Sequence, residues 1–370
     1  MNAASSHPGL HPSSTPLQSA SSEAAVRLRA MLGGIFSGRD LTRPEAAELL
    51  GYVFDGQATD AQIAAVLVAL AKKGECVDEI VGLTEAMRAR MVVLRTRHRC
   101  FVDTAGTGAS RAKAFNISTA AAIVAAAAGV PVAKHGARAA TSKTGSADVL
   151  AAMGAPIPVP LAISEQLFNS LGFCFLFAPA HHPASARVAG IRRELGVRTC
   201  FNLIGPLCNP ARSRRQLMGV SDPKLMSMIA SALLALGAER AWVVHGCDGL
   251  DEVTLAGPTR VLELRDGEER ARNIVPEDFG YSAESLEGAR AEDAAASAHI
   301  IREVFAGRRR DVARRLIVVN GAAALYLGGA AESLKECAER AEAAIDSGAA
   351  SNKLEAFLEG AKAAVPGEKA

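Results

Sequence analysis

Residues 100–150 read CFVDTAGTGASRAKAFNISTAAAIVAAAAGVPVAKHGARAATSKTGSADVL. A short apolar run enters a glycine turn, Gly106-Thr107-Gly108. The cap signal Asn116-Ile117-Ser118-Thr119 then opens an Ala-rich helix over Ala120–Ala128. The grammar repeats at once: an apolar strand, Val130 to Lys134, a glycine turn at Gly136, a hydroxyl-rich loop, and a helix from about Ala147. Strands alternating with helices predict an α/β fold with a mainly parallel sheet and loops gathered at the carboxyl ends of its strands. Ligands of such sheets bind at that edge. Further strands are predicted at FCFLFAP (173–179), ERAWVVHG (239–246) and RVLELRDG (260–267). RLIVVNG (315–321) reads as a strand or, over Leu316–Leu327, as a buried helix.

Upstream, residues 23–96 are helical in pattern. SSEAAVRLRAMLGGIFSG, DAQIAAVLVALAKKG and VDEIVGLTEAMRARM repeat apolar residues at three and four, and LTRPEAAELLGYVFDG starts with Thr42 as cap and Glu45 three residues on. This predicts a small helical domain over 23–96, followed by an α/β domain over 97–355 and a C-terminal tail over 356–370. Residues 1–22 are rich in Ser, Pro and Ala and are expected to be a disordered tail. They lack the basic start and apolar centre of a secretory signal.

The chain has 370 residues, 49% of them apolar, enough for one large or two modest cores. Its 41 Lys and Arg nearly balance 39 Asp and Glu, so no global basic field favours nucleic acid. The longest apolar stretch, Ala120–Val132, falls short of the roughly 18 to 20 residues of a membrane span. Seven cysteines form no CxxC pair, which fits reduced thiols in a cytoplasmic protein, most of them core filler.

Four constellations carry chemistry. The first is the Gly106 turn with Asn116, Ser118 and Thr119: glycines let backbone approach an anion, and a helix amino terminus offers free N–H groups to it. An ordinary strand-to-helix turn can look the same. The second packs Lys134, His135, Gly136, Arg138, Thr141, Ser142, Thr144 and Ser146 into one short loop, an inventory for gripping a phosphate chain. The third, Phe177–Pro210, holds adjacent His181 and His182, read as structural hydrogen-bonding residues, and Arg192 with Arg193, either of which can fork onto a carboxylate or face solvent. The fourth is Asp248-Gly249-Leu250-Asp251-Glu252 past an apolar strand, carboxylates suited to magnesium or to a charged turn. Two phosphate grips and a carboxylate loop together describe a site for a magnesium-bound polyphosphate ester. No GxxxxGK[ST] motif is present.

DTAGTG, FNIST, KHG, SADVL, FLFAPAHHPA, RRELGVRT, GPL, VVHG, DGLDE and the closing IDSG resemble, in order and spacing, the anthranilate phosphoribosyltransferase family over about residues 24–350. The resemblance implies a helical domain beside an α/β domain with the active site in the cleft between them, in a homodimer. It implies that Gly106, Asn116, Ser118, Thr119, Lys134, Gly136, Arg138, Ser142 and Ser146 line the site of phosphoribosyl pyrophosphate. Ser118, Asp251 and Glu252 would hold two Mg2+ ions, and Arg192 would meet the carboxylate of anthranilate. Lys134, His135 and Arg192 are the catalytic candidates. The chain departs from the family at Ala109 and Ser110 (Gly-Asp), Ala114 (Thr) and Ala137 (Asn). These changes imply weaker donor binding, offset by Arg111 and Lys113, and a more permissive acceptor pocket. Alternatives are a transferase for another aromatic acid, a nucleoside phosphorylase, and a non-catalytic nucleic-acid-binding relative.

Overall fold

The computed structural model describes residues 23–108, 114–139 and 144–363. The expected tail at 1–22 lies outside the described residues, as do Ala109, Ser110, Arg111, Lys113, Thr141, Ser142 and 364–370. Helices α1 (Glu23–Phe36), α2 (Arg43–Phe54), α3 (Asp60–Lys73) and α4 (Val77–Ala89) come first. α2 starts as its sequence dictates: Thr42 N–H donates to the Glu45 carboxylate at 2.9 Å, and Glu45 N–H to the Thr42 hydroxyl. Thr59 and Gln62 do the same for α3.

The sheet follows. β1 (Val102–Gly106), β2 (Val132–Gly136), β3 (Phe173–Phe177), β4 (Arg215–Gly219) and β5 (Arg240–Gly246) are parallel, and β6 (Thr259–Arg265) and β7 (Glu268–Ile274) add an antiparallel edge. The order is β3-β2-β1-β4-β5-β6-β7. From β1 the chain moves outward through α5 (Ile117–Ala127) to β2. It then runs through α6 (Ser146–Ala152) and α7 (Leu161–Leu171) to β3, and returns to the other side of β1 as β4. The reversal opens a crevice at the carboxyl ends of β1 and β4.

Between β3 and β5 lie α8 (Ala178–His181), α9 (Ala186–Leu195), α10 (Phe201–Ile204) and α11 (Met226–Ala235). Their buried Val188, Ile191, Phe201, Ile204, Ile229 and Leu233 join Leu28, Ile35, Leu49, Ile63 and Leu70 of the first helices in one core, which also takes Met218 and Val243 from the sheet. The expected boundary at residue 96 is thus crossed by packing. Four short amphipathic helices have more apolar surface than they can bury among themselves, and later helices complete the bundle.

The other face is covered by α5, α12 (Ala294–Phe305), α13 (Val312–Gly328), α14 (Leu334–Asp346) and α15 (Ala349–Lys362). RLIVVNG is therefore helix, within α13. Its β-branched run looks strand-like locally, but Asp311 caps Ala313 N–H and the apolar run continues well past strand length. The expected tail from 356 is corrected too, since α15 runs to Lys362 and buries Phe357, Leu358 and Ala361. The period of AFLEGAK continues that of the preceding turn, and the Phe357 ring meets Phe173 at 5.1 Å. All seven cysteines are free thiols; Cys174, Cys200, Cys208 and Cys337 are buried, whereas Cys100 and Cys247 are exposed. Among the described residues no helix is long and apolar enough to cross a membrane.

Candidate active site

A cavity of about 720 Å3 opens at the carboxyl ends of β1, β2, β3 and β5 and is closed on its far side by α4, α9 and α10. Gly106, Asn116, Ser118, Lys134, His135, Gly136, Arg138, Ser146, Arg192, Asp251 and Glu252 all line it. An open groove between α2 and α4 holds none of them.

Lys134 is 2% exposed. Its Nζ donates to Thr104 O at 2.7 Å, Thr104 Oγ1 at 3.1 Å and Ser118 Oγ at 3.1 Å, which uses all three ammonium hydrogens. Burial pulls it down to about 8, against the charges of Asp103 and Glu252. Ser118 sits in the first turn of α5, whose amino terminus faces the cavity. Asn116, just before it, keeps Oδ1 buried without a partner. Thr119 is the exception: it is fully buried and does not line the cavity. One residue turns a helix by about 100°, so the position after Ser118 faces protein instead.

The second loop folds back on itself. Asp148 accepts from Ala139 N–H and Gly145 N–H at 2.9 and 3.0 Å and pairs with Arg138 at 3.0 Å. A Cβ on Gly136 would stand 2.1 Å from Ser146 Oγ and 3.3 Å from Ser146 Cβ, so the glycine leaves the α6 terminus room at this spacing. Ala114 and Ala137 both line the cavity.

Asp251 and Glu252 enter from the loop after β5. Burial, and then the charge of Asp251, push the Glu252 carboxyl up from its ordinary range; the charge of Lys134 and hydrogen bonds from Ser118 oppose the rise. A carboxylate raised by its neighbour's charge, beside a hydroxyl, belongs to a donor set that a hard cation relieves, and magnesium favours one or two carboxylates completed by water and phosphate. The residues fit that ion.

Arg192, also lining the cavity, donates from Nη2 to Asn202 Oδ1 at 3.2 Å and lies 5.3 Å from the Phe201 ring centre, with Nε buried and unpartnered. His135 packs its ring on His182 at 5.3 Å. Burial, then the neighbouring histidines, hold His135 far below the ordinary imidazole range, so it is neutral near pH 7, and its Nε2 lacks a partner. His181 is structural as expected, its Nδ1 2.9 Å from Val92 O. His182 instead lines the cavity.

Sequence reading missed Gly219 at the end of β4. A Cβ there would stand 1.8 Å from Asp251 O, so Gly219 gives the carboxylate loop its seat. It also missed the buried group Asp103, Asn209 and Gln216 beneath the cavity floor.

The chain matches the family described as "Glycosyl transferase family, a/b domain" over residues 98–351 and "Glycosyl transferase family, helical bundle domain" over residues 29–91. It is 46% identical over 331 residues to anthranilate phosphoribosyltransferase of Moorella thermoacetica, covering 90% of this chain and 97% of that one. The fold matches the crystal structure of anthranilate phosphoribosyltransferase from Thermus thermophilus with a TM-score of 0.84 and 38% identity, over 90% of this chain and 99% of that chain. The Saccharomyces cerevisiae enzyme in complex with PRPP and Mg gives 0.83 and 26%, over 92% and 99%.

Proposed function

We infer function from membership: this chain belongs to the anthranilate phosphoribosyltransferase family, and it transfers the phosphoribosyl group of phosphoribosyl pyrophosphate to anthranilate in tryptophan biosynthesis. The observation that supports this reading is that Ser118, Lys134, Asp251, Glu252 and Arg192 all line one cavity. The amine nitrogen of anthranilate bonds to C1 of the ribose while the C1–O bond breaks, and its electron pair leaves with pyrophosphate. The proton of the new secondary amine is released afterwards.

Positioning and electrostatics supply the rate. Lys134 places a buried positive charge beneath the leaving diphosphate, and the α5 amino terminus adds backbone donors there. Gly106, Gly136, Arg138, Ser142 and Ser146 complete the donor grip. Ser118, Asp251 and Glu252 would hold magnesium, two ions in this reading. Bound there, magnesium neutralises charge on the leaving group. An aromatic amine is uncharged at neutral pH, so it needs no strong base to attack. His135, neutral through burial, stands beside the acceptor path as a polar wall without a competing charge. Arg192 clamps the acceptor carboxylate.

Purified protein with phosphoribosyl pyrophosphate and magnesium, offered a panel of aminobenzoates, tests the reading through pyrophosphate release. Anthranilate is expected to be the best acceptor. Efficient use of another acid with anthranilate untouched would overturn the assignment. Arg192→Ala is expected to raise the KM for anthranilate about ten- to a hundredfold, a loss of ~1.5–3 kcal/mol for a charge-assisted bond. The donor KM should stay where it is; a change confined to the donor would remove Arg192 from the acceptor side.

A homodimer belongs to the same reading. Exposed Val26 and Phe36 on α1 and Val68 on the adjacent α3 are the apolar surface that supports it. Sedimentation should give about twice the chain mass, and Phe36→Glu with Val68→Glu should shift it toward monomer. An unshifted dimer would move the interface elsewhere.

A further inference from the structure

β1 and β2 are adjacent parallel strands of five residues each, yet they pair in register only at Val102 with Val132. Their other neighbours, β4 and β3, pair along all five. Beyond the first rung, side chains replace the missing ladder. His135 N–H donates to Asp103 Oδ1 at 3.1 Å, Ala133 O accepts from Asn209 Nδ2 at 2.8 Å, and Thr104 O accepts from Lys134 Nζ at 2.7 Å. Asp103 is the hub: its Oδ1 takes the His135 N–H and its Oδ2 accepts from Gln216 Nε2 at 3.2 Å. Gln216 Nε2 also donates to Pro206 O at 2.8 Å, and Pro206 lines the cavity. Asp103, Gln216 and Asn209 are all at most 4% exposed, and Asp103 has no salt-bridge partner among the described residues.

A buried carboxylate without a salt bridge is costly unless its bonds achieve something. Every partner it holds sits one step from a cavity residue: β2 carries Lys134 and His135, and the 205–209 segment carries Gly205 and Pro206. We propose that Asp103 is the positioning residue of the transfer site, holding β2 and the 205–209 segment at a fixed offset from β1. It thereby sets Lys134 for the donor and His135 and Pro206 for the acceptor. The inference rests on the phosphoribosyltransferase reading above and adds a residue that touches neither substrate.

Asp103→Asn keeps the shape but must turn its amide N–H toward either the Gln216 amide or the His135 N–H, donor against donor. The measurements are the melting temperature, the affinity for magnesium pyrophosphate by calorimetry, and both KM values. The folded variant is expected to bind pyrophosphate at least about tenfold more weakly and to show raised KM for donor and acceptor. Glu263→Gln is the control, because Glu263 is a buried carboxylate bonded to Trp242 and Tyr326 and lies off the cavity. It should lower the melting temperature and leave pyrophosphate affinity unchanged. If Asp103→Asn does not fold, Gln216→Leu removes one arm of the hub and should raise the acceptor KM at least about fivefold. Wild-type affinity in folded Asp103→Asn, an equal loss in Glu263→Gln, or, where Gln216→Leu stands in, an unmoved acceptor KM would overturn the inference alone. A wild-type protein that does not bind magnesium pyrophosphate would overturn the functional reading and this inference with it.

Discussion

Pyrophosphate release should vanish, by about a thousandfold or more, when Asp251→Asn and Glu252→Gln are combined. Both replacements keep the outline of the side chain and remove its charge. What is lost is the pair of anionic oxygens at the cavity edge, and with them the ability to hold magnesium against a diphosphate. The fold should survive, because the two carboxylates repel each other where they stand. The melting temperature in metal-free buffer is expected to be unchanged or higher. That opposition, more stable and inactive, separates a site effect from a folding effect. Normal turnover at ordinary magnesium concentration would show that the carboxylates do not carry the ion.

Gly219→Ala is expected to be nearly as damaging although it adds a single methyl group. Its Cβ would fall 1.8 Å from Asp251 O and 2.8 Å from Asp251 C, both backbone atoms with no flexible end to swing away. Either β4 shifts or the Asp251 loop does, and overpacking of this kind costs about 1–3 kcal/mol. A displacement near 1 Å at a catalytic group can lower the rate about a hundredfold. The signature should be a lower melting temperature together with a higher magnesium requirement. If Gly219→Ala shows wild-type magnesium dependence and turnover, the seat assigned to Gly219 is wrong.

The loops that line the cavity were legible because glycine, hydroxyl and basic residues crowd into short spans, a pattern core packing alone does not require. The carboxylate pair was legible for the same reason. β4 was not: RQLMG carries only two large apolar residues, Leu217 and Met218, after a run of arginines, and its Gln216 is buried for the sake of Asp103. β7, EERARNI, is an edge strand exposed along most of its length, so it has no apolar face to announce it. It is set by the turn at Asp266 and Gly267, both at positive φ, as a tight hairpin needs. The hub of Asp103, Asn209 and Gln216 is invisible for another reason. Its members are ordinary polar residues, and only the fold brings Asp103 to the other two, more than a hundred positions away. Thr119 shows the reverse: the FNIST motif put it beside Ser118 in the site, and the turn of the helix buries its side chain away from the cavity.

The shared core of the bundle has a consequence for synthesis. α4 ends at Ala89 and α11 begins at Met226, 137 residues later. At translation rates of about 5–20 residues per second, the first four helices wait roughly 7–27 s for the segment that covers them. During that interval Leu49, Ile63 and Leu70 belong to a half-built core on a nascent chain. The amino-terminal helices are made first and finished late, so the ribosome-bound intermediate is the state of this protein most in need of a chaperone.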